Sequence, residues 1–251
     1  WCWIGREASA GYRNAVKTKP RAICSRHALD RRGWNPWSQW PIFNTLLDAG
    51  CGSGVLSKRL AEEATSCVGV DPSGSSVALA RKYQSGPNIT FFCATLEDYA
   101  GQKDEEGQFD LIAANMVLMD VIDMESFCLA ANRLLKYGGS LVATVTHPCF
   151  WPKYWNYENA EWYSYQKEIV IEAELRIHAG TTHHNSTHVH RPLSEYFRVA
   201  AQCGFVVDSL IEPWPPTDAP VDYQANFTDP RFLGIRYRKS GVPQLPSSRS
   251  R

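Results

Sequence analysis

Between residues 45 and 147, short apolar runs alternate with longer amphipathic stretches, in the order TLLDAG, SGVLSKRLAEEA, CVGVDP, SGSSVALARKYQ, ITFFCA, FDLIAANMVL, MESFCLAANRLLK and GSLVATVTH. The brief runs rich in Leu, Val, Ile and Phe read as strands buried on both faces, and the segments between them carry apolar positions at helical spacing. Alternating β and α units of this length predict a parallel sheet with helices on both sides. Gly138 and Gly139, after LLKY, predict a helix stop and a tight entry into a fifth strand starting near Ser140.

Upstream, Trp37, Trp40, Phe43 and Leu47 recur at three- or four-residue steps and predict a short amphipathic helix near the carboxyl edge of the sheet, with Trp37 a candidate acceptor contact. Residues 1–33 lack sustained periodicity and read as a mobile arm or a loosely docked helix, so the chain divides into an arm and cap helix at 1–44 and a main domain at 45–251. Within the main domain, residues 147–191 break the rhythm. HPCFWPKYWNYENAEWYSY is loaded with aromatic rings and HHNSTHVHR with histidine, which predicts an insertion covering the active site, its histidines on a loop. Order then returns as a helix over SEYFRVAAQCGF, a strand over VVDSLIEP, a proline-rich loop and a last strand over RFLGIRYRK.

Charge changes the picture of partners. The 26 Lys and Arg are balanced by 26 Asp and Glu, so the broad positive field that draws nucleic-acid binders to their targets is absent and a small-molecule substrate is favoured. Eight cysteines without a C-x-x-C pair fit neither a zinc knuckle nor a compact disulfide framework and point to a reducing, cytoplasmic setting. No apolar run reaches the ~18 residues of a membrane span, and the first residues lack the order of a secretory signal.

The densest chemistry lies in LLDAGCGSG, residues 46–54, where a strand runs straight into Gly50, Gly52 and Gly54. A dinucleotide fingerprint requires G-x-G-x-x-G, but counting from Gly50 the final position is Val55. An acid, Asp48, precedes the glycines; it disfavours a pyrophosphate at the helix start and favours a cationic ligand. Asp71, at the end of the second strand, stands about 20 residues further on, where a carboxylate can accept both hydroxyls of a ribose.

Together these features resemble the class I S-adenosylmethionine-dependent methyltransferases, in order over residues 45–146. The resemblance implies a Rossmann-like, seven-stranded, mostly parallel sheet with an antiparallel last strand, and S-adenosyl-L-methionine as cofactor with S-adenosyl-L-homocysteine as product. It implies cofactor contacts from Asp48, Ala49, Gly50, Gly52 and Gly54, and ribose contacts from Asp71 with Pro72 beside it. Adenine contacts fall at Thr95, Leu96 or Glu97, where Thr95 replaces the usual acid, and Asn115 and Met116 end the fourth strand beside the transferring methyl group. HPCF, HRPLSEYFRVAAQCGF and the later EP resemble small-molecule methyltransferases of the same superfamily, including those of secondary metabolism. The methylated atom, oxygen, nitrogen or carbon, stays open, as does the choice between monomer and homodimer. Alternatives are an RNA methyltransferase acting on a tRNA wobble base, supported by the basic arm, and a non-catalytic cofactor-binding regulatory subunit.

On the acceptor side, His147 and His190 are candidate general bases, because an imidazole of pKa about 6.5 suits proton removal near neutrality. Each also has a structural reading: His147 bonding the backbone around Pro148, His190 starting a helix near solvent. His183, His184, His188 and His190 could converge on a metal, but no carboxylate or cysteine stands at ligand spacing and none is assigned. Phe150, Trp151, Tyr154 and Trp155 are candidate walls of a pocket for a flat apolar acceptor.

Overall fold

Leu46 and Leu47 are both fully buried, yet they belong to opposite layers of the core. Successive side chains of a strand point to opposite faces, so this pair requires cover on both sides of the sheet. The computed structural model describes residues 43–102, 106–177, 180–215 and 227–241. Its strands are β1 (Thr45–Ala49), β2 (Ser66–Asp71), β3 (Ile89–Cys93), β4 (Phe109–Asn115), β5 (Leu135–Thr146), β6 (Ile169–Ile177), β7 (Gly180–His190), β8 (Phe205–Ile211) and β9 (Phe232–Lys239). Seven of them form one sheet in the order β3-β2-β1-β4-β5-β9-β8. The first five run parallel, and β9 lies antiparallel to both its neighbours, as the resemblance implied.

Helices α1 (Val55–Leu60) and α2 (Gly74–Tyr83) cover one face through Leu60, Val77 and Ala80. The other face is covered by α3 (Leu96–Gly101), α4 (Met124–Leu134) and, after the insertion, α6 (Leu193–Gln202), whose apolar residues join Leu47, Ile112, Ala143 and Ile235 in one cluster. Side chains of Ser73, Thr95 and Asp123 cap α2, α3 and α4 by accepting amide bonds from Ser76, Asp98 and Ser126, a contribution of about 1 kcal/mol each. A four-residue helix, α5 (Trp151–Tyr154), follows β5.

Asp110 ties the sheet together at the edge opposite the site. Its Oδ2 accepts the amides of Asn44 and Thr45, each at 2.9 Å, and its Oδ1 accepts Lys136 Nζ at 2.8 Å. Partial burial alone would raise this carboxyl, but those bonds outweigh it and hold the pKa at about 2.

Three expectations are corrected. The helix inferred through Trp37, Trp40, Phe43 and Leu47 does not extend into the described residues: Phe43 precedes the sheet and Leu47 lies within β1, because the Asp110 bonds hold the chain extended there. Trp37, Trp40 and the basic arm lie outside the described residues. The fifth strand begins at Leu135, not Ser140: α4 stops before the glycine pair, Leu135 pairs with Phe109, and after a register shift the ladder resumes at Leu111 and Ser140. Gly139 is needed for a close approach, since a Cβ there would lie 2.9 Å from the Lys136 carbonyl oxygen and 3.0 Å from that of Asp110. Finally, the histidine-rich segment is no loop; it forms β7, paired antiparallel with β6 in a separate two-stranded ribbon.

The turn after β1 is closely packed. Gly54 has φ +77°, and a Cβ on it would meet Phe91 Cζ at 2.8 Å and the Ala80 methyl at 2.9 Å. Gly54→Ala should therefore cost about 1–3 kcal/mol in backbone strain alone and lower the thermal midpoint by at least about 3 °C. Calorimetric melting of the two proteins measures this, and an unchanged midpoint would mean that the turn relaxes without penalty.

Candidate active site

The strand order reverses direction at β1, with β2 on one side and β4 on the other, and ligands of open α/β sheets bind at the carboxyl ends of the strands at such a point. There the chain leaves β1 through Gly50, Gly52 and Gly54, all with positive φ. The amides of Gly50 and Cys51 both donate to the Val70 carbonyl, at 2.8 and 3.0 Å, and the Gly52 amide donates to Asp71 Oδ2 at 2.9 Å. Asp71 Oδ1 accepts the Ser73 amide at 2.8 Å. These two bonds orient the Asp71 carboxylate at the carboxyl edge of the sheet, beside the glycine turn. Ala49 is buried under the turn and Pro72 is exposed beside Asp71.

Asp48 lies beneath this turn. It is 1% exposed, and its Oδ2 accepts the Ser57 hydroxyl of α1 at 2.6 Å. Burial pushes its pKa up to about 7, with the Ser57 bond opposing the rise and the charge of Asp71 adding to it. The acid that precedes the glycines is thus a buried, partly protonated group close to a second carboxylate, an arrangement that a cationic ligand relieves.

At the end of β4, Thr144 of β5 holds the backbone by both its oxygens. Its hydroxyl donates to Asn115 Oδ1 at 2.6 Å, and the Met116 amide donates to the Thr144 carbonyl at 2.9 Å. Met116 has φ +57°, a conformation that a non-glycine residue holds only when its surroundings impose it. Val117 then packs on the glycine turn, where a Cβ at Gly50 would lie 2.5 Å from Val117 Cγ2. On the far side of β2, Thr95 spends its hydroxyl capping α3 and the Leu96 side chain enters the core, which leaves the half-exposed Glu97 and the backbone of this segment for recognition.

The two candidate bases differ. His147 is 2% exposed; its Nδ1 accepts the Cys149 amide at 3.2 Å, which puts the ring proton on Nε2, 2.8 Å from Glu212 Oε1. Glu212, after β8, is the half-exposed member of this pair. His190 closes β7 and does not open a helix, since Pro192 caps α6; it is buried, with Nε2 3.2 Å from the Tyr165 carbonyl. Burial lowers its pKa. Tyr163, Tyr165 and Tyr157 surround its ring at 5.0, 5.8 and 6.5 Å.

The predicted aromatic wall assembles around Trp151, whose ring lies 5.0 Å from Tyr154, 5.5 Å from Trp155 and 6.5 Å from His188. Phe150 packs on His147 at 4.6 Å, and the Arg231 guanidinium sits 4.0 Å over the Tyr154 ring. His188 and His190, two apart on β7, share one face and join this aromatic group to the tyrosines around His190. Burial, with the charges of His190 and Arg191, drives the His188 pKa down to about 3, so its imidazole is neutral at pH 7. No group of three or more metal-ligating side chains comes together among the described residues.

Comparison with known proteins agrees with this geometry. Residues 47–143 match the family model described as a methyltransferase domain. The matched stretch runs from β1 into β5 and resembles a methyltransferase domain. It is similar to a ubiquinone biosynthesis O-methyltransferase of Pseudomonas paraeruginosa, 36% identical over 99 residues that make up 39% of this chain and 42% of the relative. A protein of the same name from Bradyrhizobium diazoefficiens is 28% identical over 71% of this chain and 68% of its own length. The chain spans less than half of the length of three relatives of this name that it matches. The fold is similar to that of a Listeria monocytogenes protein provisionally described as an S-adenosylmethionine-dependent methyltransferase, with a TM-score of 0.66 and 23% identity over 80% of this chain and 93% of that one. The methyltransferase domain match ends at residue 143, so Glu212 and the whole insertion lie beyond it.

Asp48 gives this site a measurable signature. Its folded pKa of about 7 lies above the ordinary 3.8, so between those values the folded protein keeps a proton that the unfolded chain has lost, and stability falls as pH rises through the window. His188, depressed to about 3, contributes the opposite slope, so the difference between wild type and Asp48→Asn isolates the acid. Denaturant titrations across that window should show the variant gaining on wild type by about 1 kcal/mol or more toward neutrality; parallel curves would place the Asp48 pKa near its ordinary value.

Proposed function

We propose that the chain is a methyltransferase that uses S-adenosyl-L-methionine to methylate an oxygen of a small, flat acceptor in a cytoplasmic setting. The single observation that carries this reading is the turn of three left-handed glycines locked by its Gly52 amide to Asp71. The relatives named as O-methyltransferases favour oxygen as the methylated atom, and the aromatic wall of Trp151, Tyr154 and Trp155 favours a planar acceptor. All six cysteines among the described residues are free, in keeping with a reducing compartment.

The residues divide the work as follows. The cofactor supplies, when bound, a methyl group on a sulfonium already activated for displacement. Asp71 holds the ribose hydroxyls, the turn from Gly50 to Gly54 lets the backbone approach, and the buried charge of Asp48 favours a cation above it. Thr144, by fixing Asn115 and Met116, keeps the end of β4 from shifting under the reacting atoms; alignment of this kind supplies most of the acceleration of a direct displacement. Both ring nitrogens of His147 are engaged, so the group that an acceptor hydroxyl can reach is Glu212, with His147 Nε2–H holding one of its oxygens. His190, enclosed by tyrosines, serves to pack the insertion.

Calorimetric titration with S-adenosylmethionine, S-adenosylhomocysteine and NADH tests the cofactor assignment. Micromolar binding of the first two and none of the third is the expected result, and failure of both sulfur compounds to bind would refute it. Asp71→Ala should weaken that binding by at least about 10-fold, because a charge-assisted pair of bonds contributes roughly 1.5–3 kcal/mol. Once acceptor screening returns a turned-over phenol, Glu212→Gln should lower kcat by about 100-fold at unchanged S-adenosylhomocysteine affinity; full activity would take Glu212 out of proton transfer.

A further inference from the structure

Arg191 is 1% exposed, and its guanidinium is the centre of a dense set of hydrogen bonds. Nη1 donates to the Leu118 carbonyl at 2.7 Å, Nη2 donates to the carbonyls of Val121 and, at 2.8 Å, Ile122, and Nε donates to Glu168 Oε2 at 2.9 Å. A buried guanidinium is costly unless nearly every N–H is satisfied, and here the satisfying groups come from two separate places. Leu118, Val121 and Ile122 belong to the loop between β4 and α4. Glu168 directly precedes β6, and Arg191 directly follows β7.

Both ends of the two-stranded ribbon therefore meet at one side chain. The stem is closed by the pairing of Ile169 with His190, and the Val189 amide adds a bond to the Met119 carbonyl at 2.6 Å. The loop so gripped is the one that starts at Met116 and presses Val117 against Gly50. A continuous path of packed and bonded groups thus runs from the glycine turn through Val117 and the 118–122 carbonyls to Arg191, Glu168 and the insertion. The planar, five-donor fork of arginine is required, because a lysine ammonium cannot reach carbonyls and carboxylate in these separate directions.

We propose that Arg191 is a positioning residue that couples the cofactor turn to the acceptor-covering insertion, so that filling the turn orders the aromatic wall. This rests on the cofactor reading above. Residue 191 touches neither cofactor nor reacting atoms; it acts through the loop at 116–122. Coupling of this kind is reciprocal, so an acceptor that orders the insertion also tightens the cofactor site.

Amide hydrogen exchange of the full chain, with and without saturating S-adenosylhomocysteine, tests the coupling. In the wild type, ligand should slow exchange both in the turn at 48–55 and in the insertion at 155–172 and 187–190. In Arg191→Lys the turn should remain protected while ligand-dependent protection of the insertion falls by about 5-fold or more. Glu168→Ala, which removes a half-exposed carboxylate and leaves the 118–122 loop held, should give the same loss and serves if the lysine variant does not fold. A wild type whose turn is protected but whose insertion is indifferent to ligand would overturn the coupling and spare the cofactor assignment, as would variants that keep full protection of the insertion. Absence of ligand protection anywhere in the wild type would overturn both.

Discussion

The bond from the Gly52 amide to Asp71 is the constraint on which the rest of the site depends. It joins the exit of β1 to the exit of β2, and it forms only because residues 50–54 take backbone conformations open to glycine. Every other group in the site is placed relative to it: Asp48 beneath, Val117 pressed on one flank, α1 beginning immediately after. Two carboxyl groups are brought close together by this geometry, and burial, with the charge of Asp71 adding to it, raises the pKa of Asp48. The turn accordingly gathers acidic groups in a buried place, a setting that favours a cationic ligand.

The sheet and the glycine turn with its two acids were readable from residue order. Strand runs such as TLLDA and FDLIAAN are apolar at consecutive positions because both faces are covered, and the three glycines with Asp48 and Asp71 occur at spacings set by backbone geometry. Such local rules act over a few residues and leave their imprint in sequence. Boundaries were less legible. Gly138 and Gly139 read as a helix stop, but α4 had already ended at Leu134, and the second glycine answers to Asp110 from a neighbouring strand.

The insertion was legible only as composition. Aromatic and histidine content located the insertion, but the pairing of β6 with β7, the burial of His190 and the partnership of His147 with Glu212, 65 positions away, depend on long-range packing that no local pattern encodes. Arg191 was invisible for the same reason. A single arginine before a proline looks like a solvated charge, and its importance comes from carbonyls about 70 positions earlier.

That arrangement fixes the ribbon at its stem, through Glu168, Ile169, His190 and Arg191, while the paired Ile177 and Gly180 lie at the far end. Strand parity is counted from the anchored end, so residues gained or lost beyond the midpoint leave His188 and His190 on the same face. The stem and the tip are thereby separate units of variation. A change in the outer half of the ribbon therefore leaves the grip of Arg191 on the 118–122 loop undisturbed.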